Sequence, residues 1–180
     1  MIKHKFKTSL TKMAWIFALH KLRNQDNIDR PDTDYISHNS AVVLALGPAL
    51  LENMDLDVET AICCAILHNL LDETQTTKKQ IEEFFGTDIA EGLSALSKDK
   101  SLPSDAAAID TLERIKNLGK EIWLVKLADC IATLKELPDN STSETRLAYI
   151  SEAKAVLEEL GGATPLLSRE LANLLGVQSK

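Results

Sequence analysis

Apolar residues along this chain recur three and four positions apart, and they nowhere alternate with polar ones over the length of a strand. Ser9 or Thr11 can cap a first helix in which Met13, Ile16, Phe17 and His20 share a face, and the pattern fades near Asn24. The polar, turn-rich segment from Asn24 to Asp34, which includes Pro31, predicts a loop that delivers Tyr35 and His38 to a second helix. That helix is expected from about His38 to Met54. Val58 to Leu71 is apolar on almost every side, the mark of a central helix. Thr77 with Gln80 three residues on is a capping-box pattern for a short helix ending at Gly86, and the next helix covers Thr87 to Leu96. After the break at Pro103, helices are expected over Ser104 to Asn117, Lys120 to Leu137 and Ser141 to about Leu160. Gly161 and Gly162 stop the last of these, and Pro165 to Leu175 closes the chain. The prediction is an all-α fold.

Composition narrows the class without naming a function. At 180 residues, 44% apolar and 26% charged, the chain suits a single helix-rich domain over residues 1–180. A net charge of −7 without a dense Lys/Arg run argues against a nucleic-acid polymer as partner. It leaves room for a small anionic ligand, because a local cluster of lysines outweighs a distant negative surface. Cys63, Cys64 and Cys130 have neither metal-knuckle spacing nor an even-numbered disulfide framework, so they read as small buried hydrophobes. The apolar run from Met13 to Leu19 is short, is followed by His20 and Lys21, and has no small-residue cleavage site. No membrane association and a cytoplasmic location are therefore expected.

The chemistry sits on the two most apolar helices. His68 and Asp72 lie four residues apart, as do Asn69 and Glu73, which puts all four on one patch of the central helix. Burying such groups unpartnered costs roughly 2–7 kcal/mol for a neutral polar group and more for a carboxylate, so something polar or cationic should lie opposite. Lys126, Asp129 and Thr133 fall on one face of the later helix. With His38 added, two imidazoles, a carboxylate and an amide oxygen can converge on a divalent cation such as Mn²⁺, Fe²⁺, Zn²⁺ or Ni²⁺. A buried histidine is more often a satisfied core residue, and a lone aspartate more often caps or pairs locally, so spacing alone leaves both readings open.

Several blocks in order carry a resemblance that bears on this choice. YISH at Tyr35 to His38, AILHNLLDETQTT around His68, FGTDIAEGLSALSKDKSLP and VKLAD at Val125 to Asp129 resemble the Rel/SpoT-type and small alarmone hydrolases of the HD-domain family. The tail from Tyr149 to Leu171 is similar too, so nearly the whole chain is covered. The resemblance implies a bundle of roughly ten helices, a single Mn²⁺, and hydrolysis that removes the 3′-pyrophosphate from guanosine tetraphosphate-like nucleotides. By position, His38, His68 and Asp129 match the metal ligands, and Asn69 stands where the family has aspartate. Asp72 and Glu73 occupy the positions implied to act on the attacking water, in swapped order. Lys100 and Lys126 match implied phosphate-binding or metal-supporting lysines.

Departures fall mainly on the nucleotide contacts. Cys130 and Ala132-Thr133 replace an arginine and a His-Asn pair, alanines follow Leu102-Pro103 where a basic run is usual, and the Arg-Lys pair ahead of the tyrosine is missing. Thr133, with Arg23 or Arg30, is then expected to supply the substrate contacts. The reading that follows is a metal-dependent phosphohydrolase acting on a small phosphorylated nucleotide. The alternative is a catalytically impaired HD-domain protein that binds a nucleotide or a partner without hydrolysis, and Asn69 is its main support.

Overall fold

A computed structural model describes residues 9–23, 32–53, 55–138 and 141–177. Five of the helices within them start where a side chain accepts from a free amide of the first turn. Ser9 accepts from the Lys12 amide at 3.3 Å to open α1 (Leu10–Arg23). Asp57 accepts from the Thr60 amide at 3.1 Å and its hydroxyl at 2.8 Å to open α3 (Val58–Leu67). Between them runs α2 (Asp32–Glu52). The expected capping box forms in full: Thr77 and Gln80 bond reciprocally at the start of α5 (Lys78–Phe85), and Gly86, at φ 90°, ends it. The chain continues through α6 (Thr87–Leu96), α7 (Ser104–Lys116) and α8 (Lys120–Glu136). Thr142 caps α9 (Ser143–Leu160), a 3₁₀ turn spans Gly161–Ala163, and α10 (Pro165–Leu175) ends at the left-handed Gly176. The all-α class holds: among the described residues there is no strand.

Two boundaries differ from expectation. The second helix starts at Asp32 rather than His38, because Tyr35, His38, Asn39, Val42 and Leu46 form one continuous inward stripe. The expected loop from Asn24 to Asp34 is thereby shortened at its end; its residues 24–31, Arg30 and Pro31 among them, and the expected terminus at Met54 lie outside the described residues. The central helix is also interrupted. It stops at Leu67, His68 and Asn69 form a turn, and a short α4 (Leu70–Glu73) follows. The carbonyl of Ile66 beside this break accepts from the Tyr35 hydroxyl at 2.8 Å and the Asn39 amide at 2.6 Å. Polar groups of α2 thus hold the turn on which His68 and Asn69 sit.

α3 and α8 form the centre, with α2 against both, α6 against α3, and α9 and α10 against α8. Gly92 permits a close approach of α6 to α3 and α8, since a Cβ there would lie 2.6 Å from Ile122 Cδ1 and 2.9 Å from Cys64 Sγ. Cys63, Cys64 and Cys130 are buried and unbridged, as small hydrophobes should be. Among the described residues, no helix is long and apolar enough to cross a membrane.

Candidate metal centre

Three elements bring the nitrogen and oxygen donors together. α2 supplies His38, the α3–α4 turn supplies His68 and Asn69, and the middle of α8 supplies Asp129. Ligand atoms of His38, His68 and Asp129 all lie within 4.8 Å of one another. Asp129 Oδ1 is 3.3 Å from His38 Nε2 and 3.6 Å from His68 Nε2, and the two rings stand 5.3 Å apart. Asn69 lines the same cavity, of about 480 Å³, together with Asp72, Glu73, Lys126 and Thr133.

The hydrogen bonds settle which nitrogens face inward. His68 Nδ1 is 2.9 Å from the Ala65 carbonyl, which can only accept, so the proton sits on Nδ1. His68 Nε2 is then left with its lone pair, buried and without a hydrogen-bond partner. His38 is arranged likewise, with Nδ1 2.7 Å from Glu136 Oε2 and Nε2 toward Asp129. Two imidazole lone pairs facing one carboxylate oxygen repel it unless a proton or a cation lies between them. Separations of 3.3 and 3.6 Å suit atoms that share a cation at about 2.0–2.2 Å from each. The donor set present therefore fits a borderline divalent metal.

Electrostatics around the trio are strongly coupled. Burial alone would push the Asp129 carboxyl up, but Lys126, 3.0 Å from Oδ2, and the two imidazoles hold it well below the usual range. Burial would lower the Lys126 ammonium, yet Asp129 and Glu152, the latter at 2.9 Å, hold it well above its ordinary value. For His38, burial favours the neutral ring, and Asp129 and Glu136 outweigh that to raise its pKa. Without a metal, the cluster is an ion-pair network in which His38 shares its protons with two carboxylates. Five carboxylates line the cavity (Asp72, Glu73, Asp129, Glu136, Glu152) against two lysines, Lys98 and Lys126. That excess of negative charge favours a cation and opposes a polyphosphate arriving without one.

The other expected residues divide. Asp72 is anchored: Oδ1 accepts a short bond from the Ser97 hydroxyl and Oδ2 accepts from the Lys98 amide at 3.3 Å. Thr133 donates to Asp129 Oδ1 at 3.4 Å. Lys126 is committed to Asp129 and Glu152. Lys100 does not line the cavity, and its ammonium donates to the Asp72 carbonyl at 2.7 Å from the outside. Arg23, exposed at the end of α1, does not line the cavity either. Three charged residues not foreseen do line it: Glu136, Glu152, and Lys98, which pairs with Glu152 at 2.7 Å. Glu136 left a trace in the sequence, because Asp129, Thr133 and Glu136 follow one another on a single helical stripe. Lys98, in the loop after α6, and Glu152, on α9, are far apart in the chain and left none.

Comparison with known proteins agrees with this architecture. Residues 14–166 match the model of the HD domain. The guanosine-3′,5′-bis(diphosphate) 3′-pyrophosphohydrolase MESH1 of Danio rerio is 31% identical over 162 residues, which cover 88% of each chain. Its Drosophila melanogaster counterpart is 27% identical over 86% of this chain and 87% of its own. The GTP pyrophosphokinase rsh of Brucella melitensis is 29% identical over 86% of this chain, a stretch that makes up 20% of that larger protein. A solved metazoan ortholog of SpoT, described as hydrolysing ppGpp and playing a role in starvation responses, superposes with a TM-score of 0.76 at 25% identity. That match covers 95% of this chain and 96% of the other.

Proposed function

The chain belongs to the HD-domain family, and on that premise we propose that it is a metal-dependent phosphohydrolase that removes the 3′-pyrophosphate from guanosine 3′,5′-bis(diphosphate). The observation that carries this reading is the buried, unpartnered Nε2 of His68 facing His38 and Asp129 on the wall of a nucleotide-sized cavity. The extent of the match to proteins named as 3′-pyrophosphohydrolases supports the substrate class.

His38, His68 and Asp129 would hold the cation, with the Asn69 amide oxygen as a fourth donor, and Mn²⁺ is the metal we assign. Bound there, a divalent cation supplies Lewis-acid chemistry, making a water more acidic and drawing charge from a phosphate. The remaining work falls to the chain. Asp72 and Glu73, on one wall of the cavity, form the proton-accepting pair, with Asp72 fixed by Ser97 and Lys98. Lys98 is the cation placed to meet a phosphate, since it lines the cavity while Lys100 does not and Lys126 is held by two carboxylates.

The test is pyrophosphate release from guanosine 3′,5′-bis(diphosphate), GTP and GDP by the purified protein with and without millimolar Mn²⁺. We expect Mn²⁺-dependent release from the first alone, reduced to background in His68→Ala. No release from it at millimolar Mn²⁺ would overturn the proposal.

A further inference from the structure

The two histidines of the metal centre are held in different ways. His68 is oriented by the main chain, through the Ala65 carbonyl, and no substitution elsewhere removes that bond. His38 is oriented by a side chain, Glu136 at the end of α8, whose Oε2 lies 2.7 Å from Nδ1. An ionised carboxylate accepts and cannot donate, so Glu136 fixes the proton on Nδ1 and leaves Nε2 bare toward Asp129. The His38 side chain is buried, at 10% exposure, whereas the Glu136 side chain is 38% exposed. Glu136 therefore contributes little to the core, and its short bond acts on a single buried group.

We infer that Glu136 is a positioning residue of the metal centre, selecting the tautomer of His38 and supplying negative charge that the neutral Asn69 does not. This rests on the reading of His38, His68 and Asp129 as metal ligands. Its physical basis is that a carboxylate on the far nitrogen of a ligating imidazole both orients the ring and strengthens it as a donor. With Asn69 in the set, His38, His68 and Asp129 carry one formal negative charge between them. Glu136, reaching the metal through one imidazole, is then the next carboxylate electrically coupled to the cation. Asp129 takes no such help from Lys126, whose ammonium withdraws charge from Oδ2 and leaves Oδ1 to face the histidines.

The experiment is a Mn²⁺ titration followed by electron paramagnetic resonance on the wild type, Glu136→Gln and Glu136→Ala, with the melting temperature of each metal-free protein as control. Glu136→Ala should weaken Mn²⁺ binding by about 10–100-fold. Glu136→Gln, which keeps an acceptor oxygen but no charge, should fall between that and the wild type, and the metal-free melting temperatures of the two variants should lie close together, slightly below that of the wild type. In the Zn²⁺-loaded wild type, long-range ¹H–¹⁵N spectra should show a His38 Nδ1–H protected from exchange with water by its bond to Glu136, with that protection lost in Glu136→Ala. A wild type that binds Mn²⁺ and a Glu136→Ala variant that binds it equally tightly would overturn the role of Glu136 while leaving the metal centre intact. A wild type that binds no Mn²⁺ at millimolar concentration overturns the metal reading and this inference with it. A loss of affinity matched by a lower metal-free melting temperature, with no partial recovery in Glu136→Gln, would reduce Glu136 to a structural contact.

Discussion

Asn69 offers the cavity a neutral amide on the turn where a carboxylate would face the same space, and the sequence already displayed this. His68 and Asp129 were legible too, since polar residues on the two most apolar helices needed partners, and His38 was the imidazole that could join them from the helix before. What surrounds them was less so: Lys98 reaches Glu152 across 54 positions, a distance over which helical periodicity says nothing. The charge argument yields two expectations. Asn69→Asp should tighten Mn²⁺ binding by at least about tenfold, worth roughly 1.4 kcal/mol, measured by the same titration that tests Glu136. Lys126→Met should do the reverse to the fold, because it strands the buried Asp129 and Glu152 carboxylates without their shared cation. The metal-free protein should lose about 3–5 kcal/mol in urea unfolding, and saturating Mn²⁺ should restore part of that by neutralising Asp129.

Helix boundaries were readable wherever a local signal sets them. The Thr77–Gln80 box and Gly86 end α5 as expected, and α6 runs over the residues that periodicity assigned to it. The break at His68 and Asn69 was not readable, because Leu67 to Leu70 continues an apolar helical pattern and the signal for the turn lies on α2, in Tyr35 and Asn39. Two substitutions probe the elements that frame the site. Asp57→Ala removes the cap of α3 and should cost about 1 kcal/mol at neutral pH. The Asp57 carboxyl is held below its ordinary value by the Thr60 amide first and its hydroxyl second. A depressed folded-state pKa gives stability that is present above the unfolded value and lost as the pH falls through the folded one. The difference between wild type and Asp57→Ala should accordingly be constant near neutrality and shrink on acidification below about pH 4, measured by thermal melts across that range. Arg114 closes the other end of the frame, donating to the carbonyls of Ser94, Ala95 and Ser97 where α6 finishes. Ser97 and the Lys98 amide in turn hold Asp72. Arg114→Ala should lower stability by about 1–3 kcal/mol through the stranded carbonyls, and it should loosen Asp72 without touching the cavity directly.

At the scale of the molecule, the all-helical class and its order of elements followed from the sequence because the contacts between neighbouring residues carry the same period as the contacts between helices. The meeting of α2, the α3–α4 turn and α8 at one point did not follow from periodicity, which allowed it as one of two readings, and the resemblance to the HD family favoured it ahead of the structure. On the proposed metal reading, that meeting point couples cation binding to the stability of the fold. The three proposed ligands, His38, His68 and Asp129, lie on elements far apart in the chain, so the unfolded protein cannot gather them, and a cation that binds only the folded state would stabilise it by mass action. At a free Mn²⁺ concentration a hundredfold above the dissociation constant the gain is about 2.7 kcal/mol. For a chain of this size that corresponds to a melting temperature roughly 5–10 °C higher, reversed by a chelator. His38→Ala and His68→Ala should each abolish the shift whatever they do to the metal-free melting temperature, because what is compared is the response to Mn²⁺ within each variant. A shift of equal size in both variants would place the bound cation elsewhere on this acidic protein.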